Sequence, residues 1–467
     1  MSPASRLVCR GCGWTAAADA PYPFRCANAR PGDGVDHVLR RTLDPSDLAF
    51  PAAGTEPNPF LRYRSLLHPY QVARAAGLAD GEFCALVRSL DAGVATVWGH
   101  GFEVTPFARA DSLSDDLGFS ETGGVWIKDE TGNVSGSHKA RHLFEVLLQL
   151  ELAERLGWAD PSREPELAIA SCGNAALAAA VLAAAAGRPL TVFVPVDGDE
   201  AVLSRLESLG ARIVTCARSP HVSGDPTYLA LLEALDRGAL PFTCQGNLNA
   251  LAVEGGTTLG YELVEQLGAT ATTLDRLIVQ VGGGALASAC YEALADAHAL
   301  GRLARLPRID TVQTESAAPL RRAYELVEKQ GGRAALELAA RDRASFMWPW
   351  ETTPASIAHG ILDDETYDWL AVVEAMLTTG GSPVVVGEEA LAGAHALAHL
   401  ATGVDVDPTG SAGLAGLMSL RAAGEIGDGE RVAVLFTGVT RARDIHSQER
   451  NRDEKLPRQG HPVAQRV

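Results

Sequence analysis

Two hydrophobic periods alternate along the middle of the chain. Short apolar runs at residues 166–170, 190–195 and 211–215 predict strands, and the segments at 175–186 and 200–209 predict helices between them. The strand pattern returns at residues 277–281, 309–313 and 432–436. Because strands that alternate with helices form parallel sheets covered by helices, the chain is predicted to be an α/β protein.

The pattern predicts two domains, each with a mainly parallel sheet flanked by helices. We expect the larger domain to comprise residues 46–143 and 244–440, and the smaller to be an insertion of residues 144–243. Residues 1–45 hold a group of cysteines and predict a small ribbon. Residues 441–467 are rich in charged and amide side chains and predict a polar tail.

Composition narrows the classes of function. The chain has 467 residues, of which 46% are hydrophobic, enough for two cores. Its net charge of −18 disfavours nucleic acid as a partner. No apolar run approaches the roughly 20 residues of a membrane span, so we expect no membrane association. The eight cysteines lie mostly in apolar surroundings, which favours a reducing cytoplasm.

The N-terminal cysteines have a spacing typical of metal ribbons. A C-x-x-C pair can place two thiolates on one tetrahedral metal ion. The second C-x-x-C pair of a zinc ribbon is missing here, so a ribbon that folds without metal is the alternative to structural zinc. The candidate ligands are Cys9, Cys12, Cys26 and His37.

Lys139 is the strongest candidate for covalent chemistry. It follows a Ser/Gly/Ser loop and precedes an amphipathic segment, which places it in the first turn of a predicted helix. The positive end of the helix dipole favours the neutral amine, the form that makes a Schiff base with a carbonyl cofactor. A lysine on a solvated helix face is the alternative interpretation.

Ser171, Cys172, Gly173 and Asn174 form a turn between a predicted strand and a predicted helix. Backbone N–H groups at a helix N-terminus bind anions, so this turn suits a substrate carboxylate. A plain helix cap provided by Asn174 is the alternative.

A second turn, at Gly282, Gly283 and Gly284, also follows a strand and opens a helix. Consecutive glycines let backbone N–H groups close on a phosphate. Because Gly282, Gly284 and Ala287 also satisfy G-x-G-x-x-G/A, a dinucleotide fingerprint is the alternative.

These motifs, in this order, resemble those of the threonine synthase branch of the fold-type II pyridoxal-phosphate (PLP) enzymes, the group that includes tryptophan synthase β. The family's lysine motif reads Lys-Asp-Glu-x-x-Asn-Pro-Thr-Gly-Ser-Phe-Lys. The matching residues are Lys128, Asp129, Glu130, Asn133, Gly136, Ser137 and Lys139. Val134, Ser135 and His138 depart from it, and a histidine before the lysine is similar to tryptophan synthase β. The resemblance spans about residues 67–440.

The resemblance implies a role for each motif. Lys139 would be catalytic, binding PLP and then acting as a base. Thr437, at the end of the last strand, would hydrogen-bond the pyridine nitrogen, which favours elimination and replacement over transamination. The implied cofactor-binding residues are Lys139, His138, Asn174, Gly282, Gly283, Gly284, Ala285, Leu286 and Thr437. The implied substrate-binding residues are Ser135, Ser171, Cys172 and Gly173.

The implied activity is that of a PLP-dependent lyase or synthase on a small amino-acid substrate with a β- or γ-leaving group. Threonine synthase chemistry, O-phosphohomoserine to threonine plus phosphate, is the first expectation. A serine/threonine dehydratase or a β-replacement synthase in a specialised pathway is the alternative. A dinucleotide-dependent oxidoreductase using the Gly282 loop is the alternative of another class. The family is usually dimeric, so we expect a homodimer.

Overall fold

The computed structural model describes residues 3–30, 32–218, 224–269 and 272–441. The polar tail predicted at residues 441–467 lies outside these ranges except for its first residue. The described strands are β1 Ser5–Cys9, β2 Leu39–Leu43, β3 Phe107–Arg109, β4 Gly124–Asp129, β5 Leu167–Ala170, β6 Leu190–Pro195, β7 Arg212–Cys216, β8 Leu240–Pro241, β9 Arg276–Gln280, β10 Arg308–Thr314, β11 Pro383–Val386 and β12 Arg431–Phe436.

The α-helices lie between and around these strands. They are α1 Pro59–Arg62, α2 His68–Ala75, α3 Asp80–Trp98, α4 Asp111–Asp116, α5 Lys139–Arg155, α6 Asn174–Ala185, α7 Glu200–Ser208, α8 Pro226–Asp236, α9 Ala250–Gly255, α10 Thr257–Ala269, α11 Ala285–Ala299, α12 Pro319–Lys329, α13 Leu336–Arg341, α14 Trp369–Thr379, α15 Glu388–Thr402 and α16 Ala412–Ala422.

The larger sheet has the strand order β11-β10-β9-β12-β4-β3. Its pairs are parallel except for β3, which runs antiparallel to β4. The last strand, β12, lies in the interior of the sheet, where Val434 pairs with both Ile127 and Ile278. Residues Val432 to Phe436 are fully buried, as expected for a parallel strand with helices on both faces.

The smaller sheet is parallel throughout, with the strand order β7-β6-β5-β8. Its helices start at sites that the sequence defines. Asp199 and Asp225 accept hydrogen bonds from backbone N–H groups at the starts of α7 and α8, and Pro226 occupies the first turn of α8. All four strands fall between residues 167 and 241. The domain boundaries given above remain a prediction.

The N-terminal ribbon is a two-stranded antiparallel sheet of β1 and β2. Ion pairs join this sheet to the rest of the chain. The buried Arg41 guanidinium lies 3.1 Å from Glu254 and 2.7 Å from Glu292, and it also contacts Asp296. The ribbon is therefore held against α9 and α11.

The expected fold class is confirmed: an α/β chain with two mainly parallel sheets and a small N-terminal sheet. Apolar clusters cover both faces of the larger sheet, and another packs α5 and α6 against the smaller one. Residues 346–350 form a cluster of aromatic side chains around a proline. Phe346 is buried in the core, and the Arg322 guanidinium lies 3.9 Å from the ring centroid of Trp348. Within the described ranges, the helices are too short or too polar to cross a membrane.

Candidate active site

Lys139 is the first residue of α5 and lies beside the end of β12. The loop before it turns sharply, with Ser135 at φ 60° and Gly136 at φ 69°, both left-handed. Ser137 forms an antiparallel bridge with Gly438, and the backbone N–H of His138 donates to the Thr437 carbonyl at 3.2 Å. These bonds hold the lysine loop against the strand end that carries Thr437.

A network of buried ion pairs supports this loop. Arg141, on the first turn of α5, contacts Glu130 at 2.8 Å and Glu262 at 2.6 Å, and Lys128 contacts Glu262 at 2.6 Å. All four side chains are fully buried. Although burial raises the pKa of Glu262, Arg141 and Lys128 outweigh it and hold that pKa below its ordinary value. Lys128 and Glu130 of the lysine motif therefore anchor the loop.

Thr437 is oriented by Gln280, a residue that the sequence motifs did not identify. The Gln280 side-chain amide, on β9, donates to Thr437 Oγ1 at 2.8 Å and to the Gly410 carbonyl at 2.8 Å. Since the Thr437 oxygen accepts from Gln280, its own hydrogen is available to an acceptor in the site. One signal was present in the sequence, because Gln280 is a polar residue that directly follows the apolar run Leu277-Ile278-Val279.

Asn174 connects the domain of the smaller sheet to the end of β12 that carries Thr437. It is the first residue of α6, and its amide Nδ2 donates to Asp407 Oδ2 at 3.3 Å. A Cβ built on Gly438 would lie 2.6 Å from Asn174 Nδ2, so the amide faces the strand end beyond Thr437. Its buried Oδ1 has no hydrogen-bond partner among the described residues. An unpartnered buried carbonyl oxygen of this kind suits a ligand that donates a hydrogen bond.

The Ser171–Gly173 turn lies at the carboxyl end of β5, next to Asn174. Its Ser171 hydroxyl accepts from the Gly173 backbone N–H at 3.4 Å. Burial raises the pKa of the Cys172 thiol, and Asp197 and Asp225 add to the rise. The thiol is therefore neutral near pH 7 and is a weak hydrogen-bond donor.

The glycine loop between β9 and α11 is in contact with a carboxylate. A Cβ built on Gly282 would lie 2.3 Å from Asp363 Oδ2, and one built on Gly283 would lie 3.9 Å from Asp363 Oδ1. Gly284 has φ +100°, a left-handed conformation that favours glycine. Ala285 and Leu286 follow as buried residues of the first turn of α11. This loop, called the glycine cradle below, therefore lies against the Asp363 carboxylate.

The positive charge of Lys139 acts on groups from several elements. It opposes the burial that raises the pKa of Asp363 to about 6 and that of Asp368 to about 8. Burial lowers the pKa of His138 well below its ordinary value, and Lys139 adds to that shift. His138 is therefore neutral, and its buried Nε2 has no partner in the described part of the chain. Asp363, Asp368 and the nearby Cys244 were not found from the sequence.

The side chains so assembled fit a flat aldehyde cofactor with an anionic arm. The Gly282–Gly284 turn opens α11, and backbone N–H groups at a helix N-terminus suit an anion. Thr437 offers a free hydroxyl hydrogen, and Asn174 offers an unpartnered amide oxygen. Lys139 is half-buried, and the residue before it, His138, is hydrogen-bonded to the Thr437 carbonyl. Ser135 is buried in the same loop, and its hydroxyl has no hydrogen-bond partner within the described ranges.

The N-terminal cysteines form a second candidate site. Its four ligand atoms, from Cys9, Cys12, Cys26 and His37, lie within 4.8 Å of one another. The His37 Nε2 atom lies 2.9 Å from Asp33 Oδ2, so the Nδ1 atom faces Cys9 at 3.4 Å. A carboxylate behind a ligating histidine is a common arrangement at zinc sites. The set fits a tetrahedral metal ion.

Comparisons with known proteins identify a family for the chain. The family model "Pyridoxal-phosphate dependent enzyme" matches residues 100–438. A threonine synthase of Methanocaldococcus jannaschii is 26% identical over 337 residues, 72% of this chain and 74% of that protein. A threonine synthase of Methanosarcina acetivorans is 28% identical over 339 residues, with the same shares of the two chains.

Solved structures share the fold at low identity. Maize serine racemase aligns with a TM-score of 0.57 and 18% identity, covering 79% of this chain and 97% of that one. Diaminopropionate ammonia lyase of Escherichia coli aligns with a TM-score of 0.58 and 17% identity, covering 80% and 92%. At these identities the likeness is one of fold.

Proposed function

The chain belongs to the family of pyridoxal-phosphate dependent enzymes, and from that premise we propose that it is a lyase or synthase acting on an amino acid with a leaving group at Cβ or Cγ. The observation that carries the proposal is the convergence of Lys139, Asn174 and Thr437 from three elements beside the glycine cradle. When bound, PLP supplies a carbonyl for Lys139 and an electron sink for charge at Cα.

Each side chain then has a defined task in this proposal. Lys139 would hold the cofactor through its amine and would move the proton at Cα of the substrate. Thr437 would donate a hydrogen bond to the ring nitrogen. Because a hydroxyl does not protonate that nitrogen, elimination and replacement are favoured over transamination. The Ser171 turn, with backbone N–H groups at the start of α6, holds the substrate carboxylate.

Threonine synthase chemistry, O-phosphohomoserine to threonine plus phosphate, is the first specific candidate. It is supported by the names of the sequence relatives and by the cysteine ribbon. The lysine motif departs from that family at Val134 and His138, and Ala140 stands where the family commonly has Asp. These departures reduce the support for this particular substrate.

A serine/threonine dehydratase or a β-replacement synthase is the second candidate. The specific observation in its favour is the substrate turn, where Cys172 replaces a hydroxyl residue and Asp197 and Asp225 add negative charge. Every candidate substrate brings a carboxylate to this turn, and O-phosphohomoserine would add the charge of its phosphate, so it would meet the greater repulsion. The oxidoreductase considered for Gly282, Gly284 and Ala287 loses its support, because the family match spans that loop.

The near-visible absorption spectrum before and after borohydride tests the class. We expect a yellow protein whose band borohydride removes, with a phosphopyridoxyl mass on the peptide containing Lys139. Lys139→Ala should lack the band and the mass, while Lys329→Met, at an exposed lysine at the end of α12, serves as a matched lysine control that keeps both. A colourless protein that PLP cannot reconstitute would overturn the proposal.

Product analysis then separates the specific candidates. Phosphate released from O-phosphohomoserine, together with threonine, supports the first. Ammonia and a keto acid from serine or threonine support a dehydratase, and a new amino acid formed with an added nucleophile supports a β-replacement synthase. We further propose that the enzyme is a homodimer, which sedimentation equilibrium of the holoenzyme tests.

A further inference from the structure

The carboxylate beside the glycine cradle belongs to the chain itself. Asp363 lies in the irregular segment before α14, and its carboxylate lies against the glycine cradle at Gly282. The backbone N–H groups of this turn are the donors that a phosphate would use. A phosphate bound there would lie against the Asp363 carboxylate, whose Oδ2 is 2.3 Å from a Cβ built on Gly282, and the two anions would repel each other.

The segment around Asp363 is attached to the same loop at more than one point. The Asp368 backbone N–H donates to the Gly283 carbonyl at 2.9 Å, and the Ile361 Cα lies 2.9 Å from a Cβ built on Gly282. The ring of Tyr367 packs over Gly283 and stacks on Tyr228, with 5.6 Å between ring centroids. Residues 361–368 therefore form a strap across the cradle.

We propose that Asp363, on the strap of residues 361–368, is a built-in competitor for the phosphate of the cofactor and so sets the affinity for PLP. This inference rests on the proposed function. It concerns cofactor loading, whereas the proposed function concerns the reaction. Asp363 is a determinant of cofactor affinity and has no part in the chemical steps.

The charges that face Asp363 decide how strongly it competes. Burial raises the pKa of the Asp363 carboxyl most, the positive Lys139 opposes that rise, and the negative Asp225 and Asp364 add to it. Together they bring the pKa of Asp363 to about 6. The carboxylate is thus ionised and competes at pH 8, and it is protonated and competes weakly at pH 5.

The test is the dissociation constant of PLP for the wild-type chain and for Asp363→Asn, prepared without cofactor. At pH 8 we expect the variant to bind PLP about tenfold more tightly, since the apparent affinity of wild type is reduced by the fraction of open cradle. Asp364→Asn is the matched control. It removes a charge from the same strap, and its side chain is not among the nearest neighbours of the three glycines.

Pyridoxal, which lacks the phosphate, is the control ligand. Asp363→Asn should leave the dissociation constant of pyridoxal unchanged, because no anion then enters the cradle. The ratio of wild-type to variant dissociation constants for PLP should fall toward one between pH 8 and pH 5. Using this ratio cancels the ionisation of the phosphate itself.

The outcomes distinguish this inference from the proposed function. Equal PLP affinities for wild type and Asp363→Asn at pH 8 would overturn the competition while leaving a PLP enzyme in place. Equal tightening for PLP and pyridoxal, or the same tightening in Asp364→Asn, would also overturn it. If neither wild type nor variant binds PLP at Lys139, the proposed function itself fails.

Discussion

Gln280 and Thr437 are joined by a hydrogen bond in which the side-chain amide of the first donates to the hydroxyl of the second at 2.8 Å. The direction of this bond follows from its surroundings. The same amide nitrogen donates to the Gly410 carbonyl, which can only accept, so the nitrogen must face this side. Thr437 is therefore an acceptor toward the sheet and a donor toward the site.

Replacing Gln280 by Met should leave the Thr437 hydroxyl without its orienting partner. We expect PLP binding to weaken by about three- to tenfold, the equivalent of one hydrogen bond, with a shift of the absorption maximum of bound PLP. Gln149→Met is the matched control, since Gln149 is also buried but lies on α5 away from Thr437. The same weakening in both variants would show that Gln280 acts only through general stability.

The two lysines of the lysine motif should fail in different ways. Lys128→Met removes one partner of a fully buried ion pair with Glu262, so the free energy of unfolding should fall by about 3–5 kcal/mol. Lys139→Met should change that free energy by less than about 1 kcal/mol, since Lys139 is half-buried, but should abolish covalent PLP. Urea unfolding of the cofactor-free chains measures the first effect. A stable Lys128→Met chain would contradict the assigned anchoring role.

The cysteine ribbon should hold about one zinc ion per chain, as its three sulfurs and one imidazole nitrogen fit a tetrahedral site. Cys12→Ser should lose the metal and lower the melting temperature. Cys216→Ser, at a half-buried cysteine of the smaller sheet, should keep it. Elemental analysis of the purified chains gives the stoichiometry. A wild-type chain without metal, and with a melting temperature indifferent to added zinc, would favour a ribbon that folds alone.

Asp368 should make stability depend on pH in a defined direction. Burial raises its pKa to about 8 in the folded chain, from an ordinary 3.8, so the folded state holds a proton that the unfolded state has lost. Its contribution is fully present below pH 3.8 and is lost as the pH rises to 8, by up to about 1.4 kcal/mol per pH unit.

The difference in unfolding free energy between wild type and Asp368→Asn isolates this contribution. It should fall steadily from pH 5 to pH 8 and level off above about 8, as measured by urea unfolding at each pH. Asp116→Asn, at an exposed aspartate, controls for the loss of one charge. A difference that does not change with pH would mean that Asp368 is ionised in the folded chain.

The sequence correctly predicted the strands that are buried along almost their whole length. Strands such as β6, β9 and β12 are covered on both faces and read as apolar runs, so their bounds were found within one or two residues. The edge strand β3 has three residues and no apolar run, and its pairing with β4 depends on contacts that local sequence does not specify. It was not predicted.

The site shows the same division. Lys139, Asn174 and Gly282 lie at strand-to-helix turns. Because nearby residues determine the backbone conformation of such turns, these three residues could be identified from motifs. Asp363 lies in a segment without periodicity, and only the tertiary fold brings it to the cradle. Residues that act through distant packing leave no local pattern, which is why the competing carboxylate could be found only in three dimensions.

The interior position of β12 has a consequence for synthesis on the ribosome. Its partners, β9 and β4, are complete long before residues 431–436 emerge, so a nascent chain carries a gap in the middle of its own sheet. Until that gap closes, the lysine loop lacks the strand end that positions it. Cofactor capture is therefore a late event, and a chain cut short before Arg431 exposes two unpaired apolar strands that favour aggregation.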